Sequence, residues 1–297
     1  MDSNVAMSLS GRIVAAKACV ALVLGMCSFA IALLPLKFTD RWRSSAEYTT
    51  NRISRKPTAT SLLLCFGGGV LLFTALLHLQ PDVRQSLRAL QAAGRLPDTE
   101  HLGDLIFCIG FFAVFGVHEA TSRARVVFER RTGAVRPPQK SFHCLYVTVV
   151  ALSLHETFLG LSAGLQSVAT AGGVWGAYAA AAANKLIVAY CLGQELAWSQ
   201  VRKPAIVTCA AMFAAVTPVG VAVGMALAQC CIGGAAAAKT PGVAEVVTQG
   251  LAAGSLAFVV FSEVLIRQKR SGLTHVLATA IGFGVMLLLQ TFTHRQQ

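Results

Sequence analysis

The chain has 297 residues, of which 55% are hydrophobic and only 13% are charged, and its mean hydropathy is +0.63. Soluble domains carry about 25% charged residues, so this composition excludes an ordinary soluble domain and indicates a membrane protein. The formal net charge of +12 could indicate a nucleic-acid partner. However, the basic residues lie mainly in alternate short connections between apolar stretches, so we expect no nucleic-acid binding.

Apolar stretches of about 20 residues, the length that crosses a bilayer as a helix, follow one another along the chain. The connections between them are too short for a soluble catalytic domain, and no phosphate-binding loop or zinc-protease motif is present. We therefore predict an all-α, single-domain protein with eight transmembrane helices, and not an enzyme. The predicted spans are residues 13–36, 59–79, 101–121, 145–166, 175–199, 204–229, 243–266 and 273–292.

Lys and Arg are concentrated in alternate connections, most densely in 37–56 and 122–142. Because cytoplasmic loops carry an excess of basic residues, the loop 122–142 is predicted to face the cytosol, where it can also contact anionic lipid head groups. With eight spans, both termini are then extracytosolic.

Ionisable side chains inside the predicted spans are the clearest functional signal, since each costs roughly 2.5–3.5 kcal/mol at the centre of a bilayer. His155 and Glu156 lie near the middle of the stretch 145–166, and Lys185 lies within 175–199. Divalent transition metals accept both an imidazole and a carboxylate, so the pair suggests metal transport. Two other roles stay open: His155 could be a buried histidine bonded to another helix, and Glu156 could pair with Lys185.

Other spans also present polar side chains on one helix face. A histidine and an aspartate lie one turn apart near Pro81, which marks the predicted end of the helix 59–79. The span 175–199 carries three candidate ligands on one face, and 243–266 carries a stripe of hydroxyl groups with a glutamate beside it. The candidate metal-binding residues are therefore His155, Glu156, Asn184, Cys191, Glu195, His78, Asp82 and Glu263.

Motifs in a fixed order along almost the whole chain resemble the ZIP family of zinc- and iron-regulated divalent metal transporters, specifically its short-loop branch. The most diagnostic is Ala151-Leu-Ser-Leu-His-Glu, followed by Gly160-Leu-Ser-Ala-Gly-Leu-Gln. Asn184-Lys185 and Thr217-Pro-Val-Gly resemble the corresponding segments of the next two helices.

The resemblance places the transport site between 145–166 and 175–199, with a histidine and a carboxylate four residues later. His155 matches this pattern, but Leu159 stands where the carboxylate is expected and Asn184 where the branch has histidine. Glu156 occupies a position that is Asn or Ser in the family, and from there its side chain points in a different direction.

The resemblance implies an importer that moves Zn²⁺ into the cytosol by alternating access without ATP and without a resident cofactor. Fe²⁺ and Mn²⁺ are alternative cargoes. The expected location is the plasma membrane, with an organelle membrane as the alternative, and a homodimer is compatible with the small-residue helix faces. Leu159 and Asn184 also motivate a transport-impaired relative that acts as a metal sensor or membrane interaction protein. Composition alone would also allow a generic channel or exporter.

Overall fold

The computed structural model describes residues 2–46, 58–132, 140–166, 171–198, 202–232, 242–262 and 273–294. The regular secondary structure within these ranges is helical throughout, which confirms the all-α prediction. A six-residue π-helical segment, Thr74–Leu79, joins the second helix to the third. The helices are α1 (Asp2–Ala46), α2 (Thr58–Phe73), α3 (Gln80–Ala92), α4 (Leu102–Thr132), α5 (Lys140–Leu165), α6 (Ala171–Trp198), α7 (Lys203–Ile232), α8 (Val243–Val259) and α9 (Leu273–His294).

Seven helical stretches are long and apolar enough to cross a membrane, which supports a multi-pass membrane protein. The predicted span 175–199 falls in α6, and α6 is not among the seven stretches found in the described part of the chain. The eight-span count and the side on which the termini lie therefore stay predictions. The seven stretches are Gly11–Lys37, Ser61–Ala92, Leu102–Ala124, Thr148–Leu165, Lys203–Cys230, Val243–Ser262 and Leu273–Thr291.

The second predicted span does not end near Pro81, as the sequence suggested. The helix continues from α2 through the π-helical segment into α3, and Pro81 occupies the first turn of α3. The N–H of Gln80 donates to the carbonyl of Ala75, five residues earlier. Proline has no backbone N–H and is tolerated in the first turn of a helix. Because the widened π turn comes directly before α3, Pro81 occupies such a first turn although the helix is continuous. His78 and Asp82 thus lie inside one continuous helix.

Glycines spaced four residues apart bring α5 and α7 into close contact. A Cβ atom on Gly224 would lie 2.5 Å from the carbonyl oxygen of Leu161 and 2.9 Å from the Cα of Gly164. One turn away, a Cβ on Gly160 would lie 3.2 Å from the Cα of Gly220. Small residues at this spacing let helix backbones approach each other in lipid. The middle of α5 is therefore pressed directly against α7.

Other helix pairs use the same kind of contact, and α5 lies among several neighbours. It packs on α7 and α8 most extensively and also contacts α4 and α6. The largest buried apolar cluster includes residues of α5, α6, α7 and α8, so the middle of α5 is enclosed by apolar side chains. Glycines also meet the backbone of the facing helix at Gly254 against Phe107, Gly282 against Phe66, and Gly193 against Ala32.

We predict that Gly224→Ala destabilises the protein by about 1–3 kcal/mol, the usual cost of overpacking a well-packed contact. The added methyl group would meet the backbone of α5, which cannot move aside as a side chain can. Thermal unfolding of the detergent-solubilised protein measures the effect. Gly284→Ala is the matched control, because a Cβ on Gly284 meets nothing within 4 Å. Equal unfolding midpoints for the two variants would contradict the close α5–α7 contact.

Candidate metal site

His155 is fully buried in α5 and its ring faces α8. Its Nδ1 atom lies 2.9 Å from the carbonyl oxygen of Ala252 and 3.0 Å from Oγ of Ser255. A carbonyl oxygen can only accept a hydrogen bond, so we assign the ring proton to Nδ1. The Ser255 hydroxyl donates to the same carbonyl at 2.8 Å, so its oxygen is free to accept from Nδ1 as well. Two groups of α8 therefore fix the ring and its tautomer.

With the proton on Nδ1, the Nε2 atom of His155 carries the free lone pair. Nε2 is buried and has no hydrogen-bond partner among the described residues. Buried polar atoms are almost always bonded, and a histidine that binds a metal typically donates its other ring N–H to a carbonyl or carboxylate. His155 has this arrangement. A purely structural role would explain the hydrogen bonds of Nδ1, but it would not explain a buried Nε2 atom that has no hydrogen-bond partner among the described residues.

The side chain of Glu156, the next residue, contacts two other helices, α6 and α7. Its Oε2 atom accepts a hydrogen bond from Nζ of Lys185 at 3.0 Å and from the hydroxyl of Thr217 at 2.8 Å. Lys185 also donates to Oγ1 of Thr217, so the three side chains form a closed network between α5, α6 and α7. Their side chains are buried, and the ammonium group lies 4.9 Å from the centre of the Phe213 ring, within reach of a cation–π interaction.

The pairing of Glu156 with Lys185, which the sequence left open, is thus present in the structure. An ionised carboxylate buried alone would be very costly, whereas a paired and hydrogen-bonded one is tolerated. Oε1, the second carboxylate oxygen, is buried and has no partner in the described part of the chain. The adjacent residues His155 and Glu156 therefore each present one buried, unbonded lone-pair atom at the same level of α5.

Two of the three candidate residues on α6, Cys191 and Glu195, lie C-terminal to Lys185. Cys191 is half-buried at the contact with α2, where a Cβ on Gly67 would lie 3.0 Å from its Sγ atom. Glu195 follows Cys191 by one helical turn. The backbone of Asn184 belongs to α6, but its side chain is not among those that the structure describes. The structure thus places Cys191 beside α2 and Glu195 one turn farther along α6, and the role of Asn184 stays a prediction.

The remaining candidates lie away from His155 in the chain. Nδ1 of His78 and Oδ2 of Asp82 are 3.7 Å apart, and both side chains are nearly half exposed. Glu263 lies outside the described residues. The part of the chain that the structure describes holds no group of three or more His, Cys, Asp or Glu side chains that could bind a metal ion. The eight-residue ligand set therefore stays a prediction.

Two residues that orient the central pair, Ser255 and Thr217, were not among the candidate site residues of the sequence analysis. Each carried a signal, because a hydroxyl group in an apolar span either bonds its own helix or contacts a neighbouring one. Thr217 stands directly before Pro218 in a motif that the sequence did display. Which helix each hydroxyl would meet could not be read from spacing within a single helix.

A second buried lysine, Lys17 of α1, holds the end of α5. Its Nζ atom donates to the carbonyl oxygens of Gly164 at 2.9 Å and Gln166 at 2.6 Å. The last carbonyls of a helix lack intrahelical partners and carry partial negative charge, so a cation stabilises this end. Ser162, seven residues after His155, donates to the carbonyl of Glu245 in α8 at 3.4 Å. The Lys17 bonds thus tie the end of α5 to α1, and the Ser162 bond ties the His155 face of α5 to α8.

A multi-pass helical bundle with ionisable side chains buried among its helices is typical of a membrane transporter. The family model of the ZIP zinc transporter matches residues 14–136 and 129–290 of the chain. The chain therefore belongs to the ZIP zinc transporter family, as its motifs predicted, and this is a family of metal transporters and not of enzymes.

Individual relatives support the same assignment over most of the chain. Zinc transporter ZIP1 of Homo sapiens is 29% identical over 293 residues, which covers 88% of this chain and 83% of that protein. Zinc transporter ZIP2 of Mus musculus is 27% identical, covering 77% and 84%. Zinc transporter ZIP3 of Homo sapiens is 26% identical, covering 86% and 90%. The similarity thus extends over nearly the whole bundle.

We predict strong coupling between Glu156 and Lys185 in a double-mutant cycle. Glu156→Gln or Lys185→Met alone leaves one buried partner uncompensated and should cost about 3–5 kcal/mol of unfolding free energy. The double variant should lose much less than the sum, because it removes both charges. Thermal unfolding of the four proteins measures the coupling.

The exposed pair of Glu119 and Arg123, whose side chains are 2.8 Å apart, provides the matched control. Glu119→Gln should change the stability by about 1 kcal/mol or less, as for exposed ion pairs in general. Additive losses for the buried pair would show that Glu156 and Lys185 do not form the contact described here.

Proposed function

We propose that the protein moves Zn²⁺ across the membrane into the cytosol by alternating access and without ATP. The observation that carries this proposal is the buried His155 ring, whose Nδ1 is fixed by α8 and whose Nε2 has no partner in the described structure. Zn²⁺ binds imidazole nitrogen readily, at about 2.0–2.1 Å. The similarity to proteins named zinc transporters supports the choice of metal.

In this mechanism His155 binds the ion directly through Nε2, which needs to lose no proton first. Oε1 of Glu156 adds an oxygen donor from the neighbouring position on α5. A site with few protein donors keeps water molecules on the ion, and this limits how tightly the ion is held. Weak binding suits a transporter, because the ion must leave on the other side.

The other candidate ligands are assigned to the pathway on either side of this pair. The three candidates on α6, one of which is Asn184, contribute to the path beside the central pair. The rest serve the outer or inner end of the path. The residues concerned are Asn184, Cys191, Glu195, His78, Asp82 and Glu263.

Direction, cargo and location follow from the sequence arguments. The excess of basic residues in alternate connections supports a cytosolic loop 122–142 and extracytosolic termini. We assign the protein to the plasma membrane. Fe²⁺ and Mn²⁺ are alternative cargoes, and competition among metal ions during uptake ranks them.

We predict that His155→Ala and His155→Asn both reduce zinc uptake to the level of cells that lack the protein. Asn retains an N–H donor at the position of Nδ1 and can still bond Ala252, but it offers no nitrogen lone pair in place of Nε2. Whole-cell accumulation of radioactive zinc, normalised to surface abundance, measures the effect. The Asn variant should reach the surface more fully than the Ala variant.

His101→Ala is the control, because His101 is exposed before α4 and lies far from His155 in the chain. It should leave zinc uptake unchanged. Wild-type uptake by His155→Asn at equal surface abundance would refute the assignment of His155 as a ligand.

A second candidate function is that of a transport-impaired relative that senses metal or binds other membrane proteins. It is favoured by Leu159, an apolar residue one turn from His155, together with the absence of a larger ligand group in the described ranges. If this reading holds, the parent protein gives no uptake. Leu159→Glu combined with Asn184→His should then create uptake, because it adds a carboxylate and an imidazole at the expected positions.

Leu159→Gln combined with Asn184→His is the matched control for this second candidate. It has nearly the same size and polarity but lacks the carboxylate charge, and it should gain much less uptake. Robust zinc uptake by the unmodified chain excludes the transport-impaired function.

A further inference from the structure

We propose that Lys185, assisted by Thr217, determines metal specificity by biasing the transport site toward Zn²⁺ and against Mn²⁺. This inference rests on the proposed transport function and concerns the same site. It adds a role for a positive charge that an importer of cations would not be expected to keep beside its cargo.

The carboxylate of Glu156 has two oxygens in different situations. Oε2 accepts hydrogen bonds from Lys185 and from Thr217, whereas Oε1 has no partner in the described structure. A metal ion near Glu156 can therefore use only one oxygen without breaking a charge-assisted hydrogen bond. The ammonium group, 3.0 Å from Oε2, also offsets the negative charge that the carboxylate would otherwise contribute to ion binding.

Lys185 is held in place and cannot easily yield its position to an ion. Its side chain is 2% exposed, its Nζ atom also donates to Thr217, and it lies over the Phe213 ring. Moving the ammonium group away from these partners would leave a buried charge uncompensated. The positive charge of Lys185 therefore offsets the negative charge of Glu156 whenever the site is in this conformation.

The remaining donor of full strength is the imidazole nitrogen of His155. Imidazole suits Zn²⁺, whereas Mn²⁺ prefers carboxylate, carbonyl and water oxygens. A site with one strong nitrogen donor and one weakened oxygen donor therefore favours Zn²⁺ relative to Mn²⁺. Freeing the carboxylate would strengthen the donor that Mn²⁺ prefers.

The test is uptake of Zn²⁺ and Mn²⁺ by the same cells expressing wild type or Lys185→Met. Methionine has a similar length but neither charge nor N–H groups. The Mn²⁺/Zn²⁺ uptake ratio should rise about tenfold, the change that corresponds to losing one charge-assisted hydrogen bond to the carboxylate. Because both ions enter through the same molecules, the ratio is independent of surface abundance. An unchanged ratio would overturn the proposal and leave Lys185 with a structural role only.

Two further variants separate specificity from folding. Lys185→Met combined with Glu156→Gln removes both charges, so its ratio should not rise above that of wild type. Thr217→Val keeps Lys185 but removes one donor to Oε2, so its ratio should rise by less than that of Lys185→Met. If Lys185→Met does not reach the surface, Thr217→Val decides the question: a ratio equal to wild type overturns the proposal.

The outcomes also distinguish this proposal from the function on which it rests. Wild-type cells that take up neither ion refute the transport function, and the specificity role falls with it. Wild-type cells that take up Zn²⁺, together with a flat ratio in Lys185→Met and Thr217→Val, refute only the specificity role.

Discussion

The buried network of Glu156, Lys185 and Thr217 is the interaction on which the centre of the bundle depends. It joins α5, α6 and α7 through charged and hydroxyl groups that are shielded from solvent. Each member alone would be expensive to bury, and together Lys185, Thr217 and the Oε2 atom of Glu156 compensate one another. Because a carboxylate, an ammonium group and a hydroxyl must meet at fixed distances, the three helices have little freedom to slide past one another at this level.

Close helix packing makes such a network feasible. Gly160, Gly164, Gly220 and Gly224 let the backbones of α5 and α7 approach, so the short side chain of Thr217 can reach Glu156. At the end of α5, Lys17 bonds the last carbonyls. The packing glycines and the buried cations are thus parts of one arrangement. Bulkier residues in place of the α7 glycines would move Thr217 away from Glu156.

The sequence predicted the helical class and the family because both depend on local pattern and on ordered motifs. It also identified His155, Glu156 and Lys185 as the costly residues in lipid. It misjudged Pro81, because a proline in the first turn of a helix that follows a π segment has the same sequence signature as a helix end. It could not decide between a metal-ligand role for Glu156 and a pairing with Lys185, since that pairing depends on which helix lies beside each face of α5.

The geometry of a single helix explains how this chain differs from the ligand pattern that the family resemblance implied. A residue four positions after His155 shares its face, so a carboxylate at 159 would lie beside the imidazole and face α8. The chain has Leu159 there, and its carboxylate is instead adjacent in sequence, about 100° around the helix. From that direction Glu156 meets α6 and α7, where Lys185 and Thr217 bind it.

One face of α5 therefore keeps a single nitrogen donor, and the neighbouring face carries a carboxylate whose charge is already compensated. A carboxylate at 156 rather than at 159 therefore does more than change the position of one acidic group. It joins the carboxylate to a lysine and a threonine on two other helices, while the imidazole on the adjacent face contacts α8.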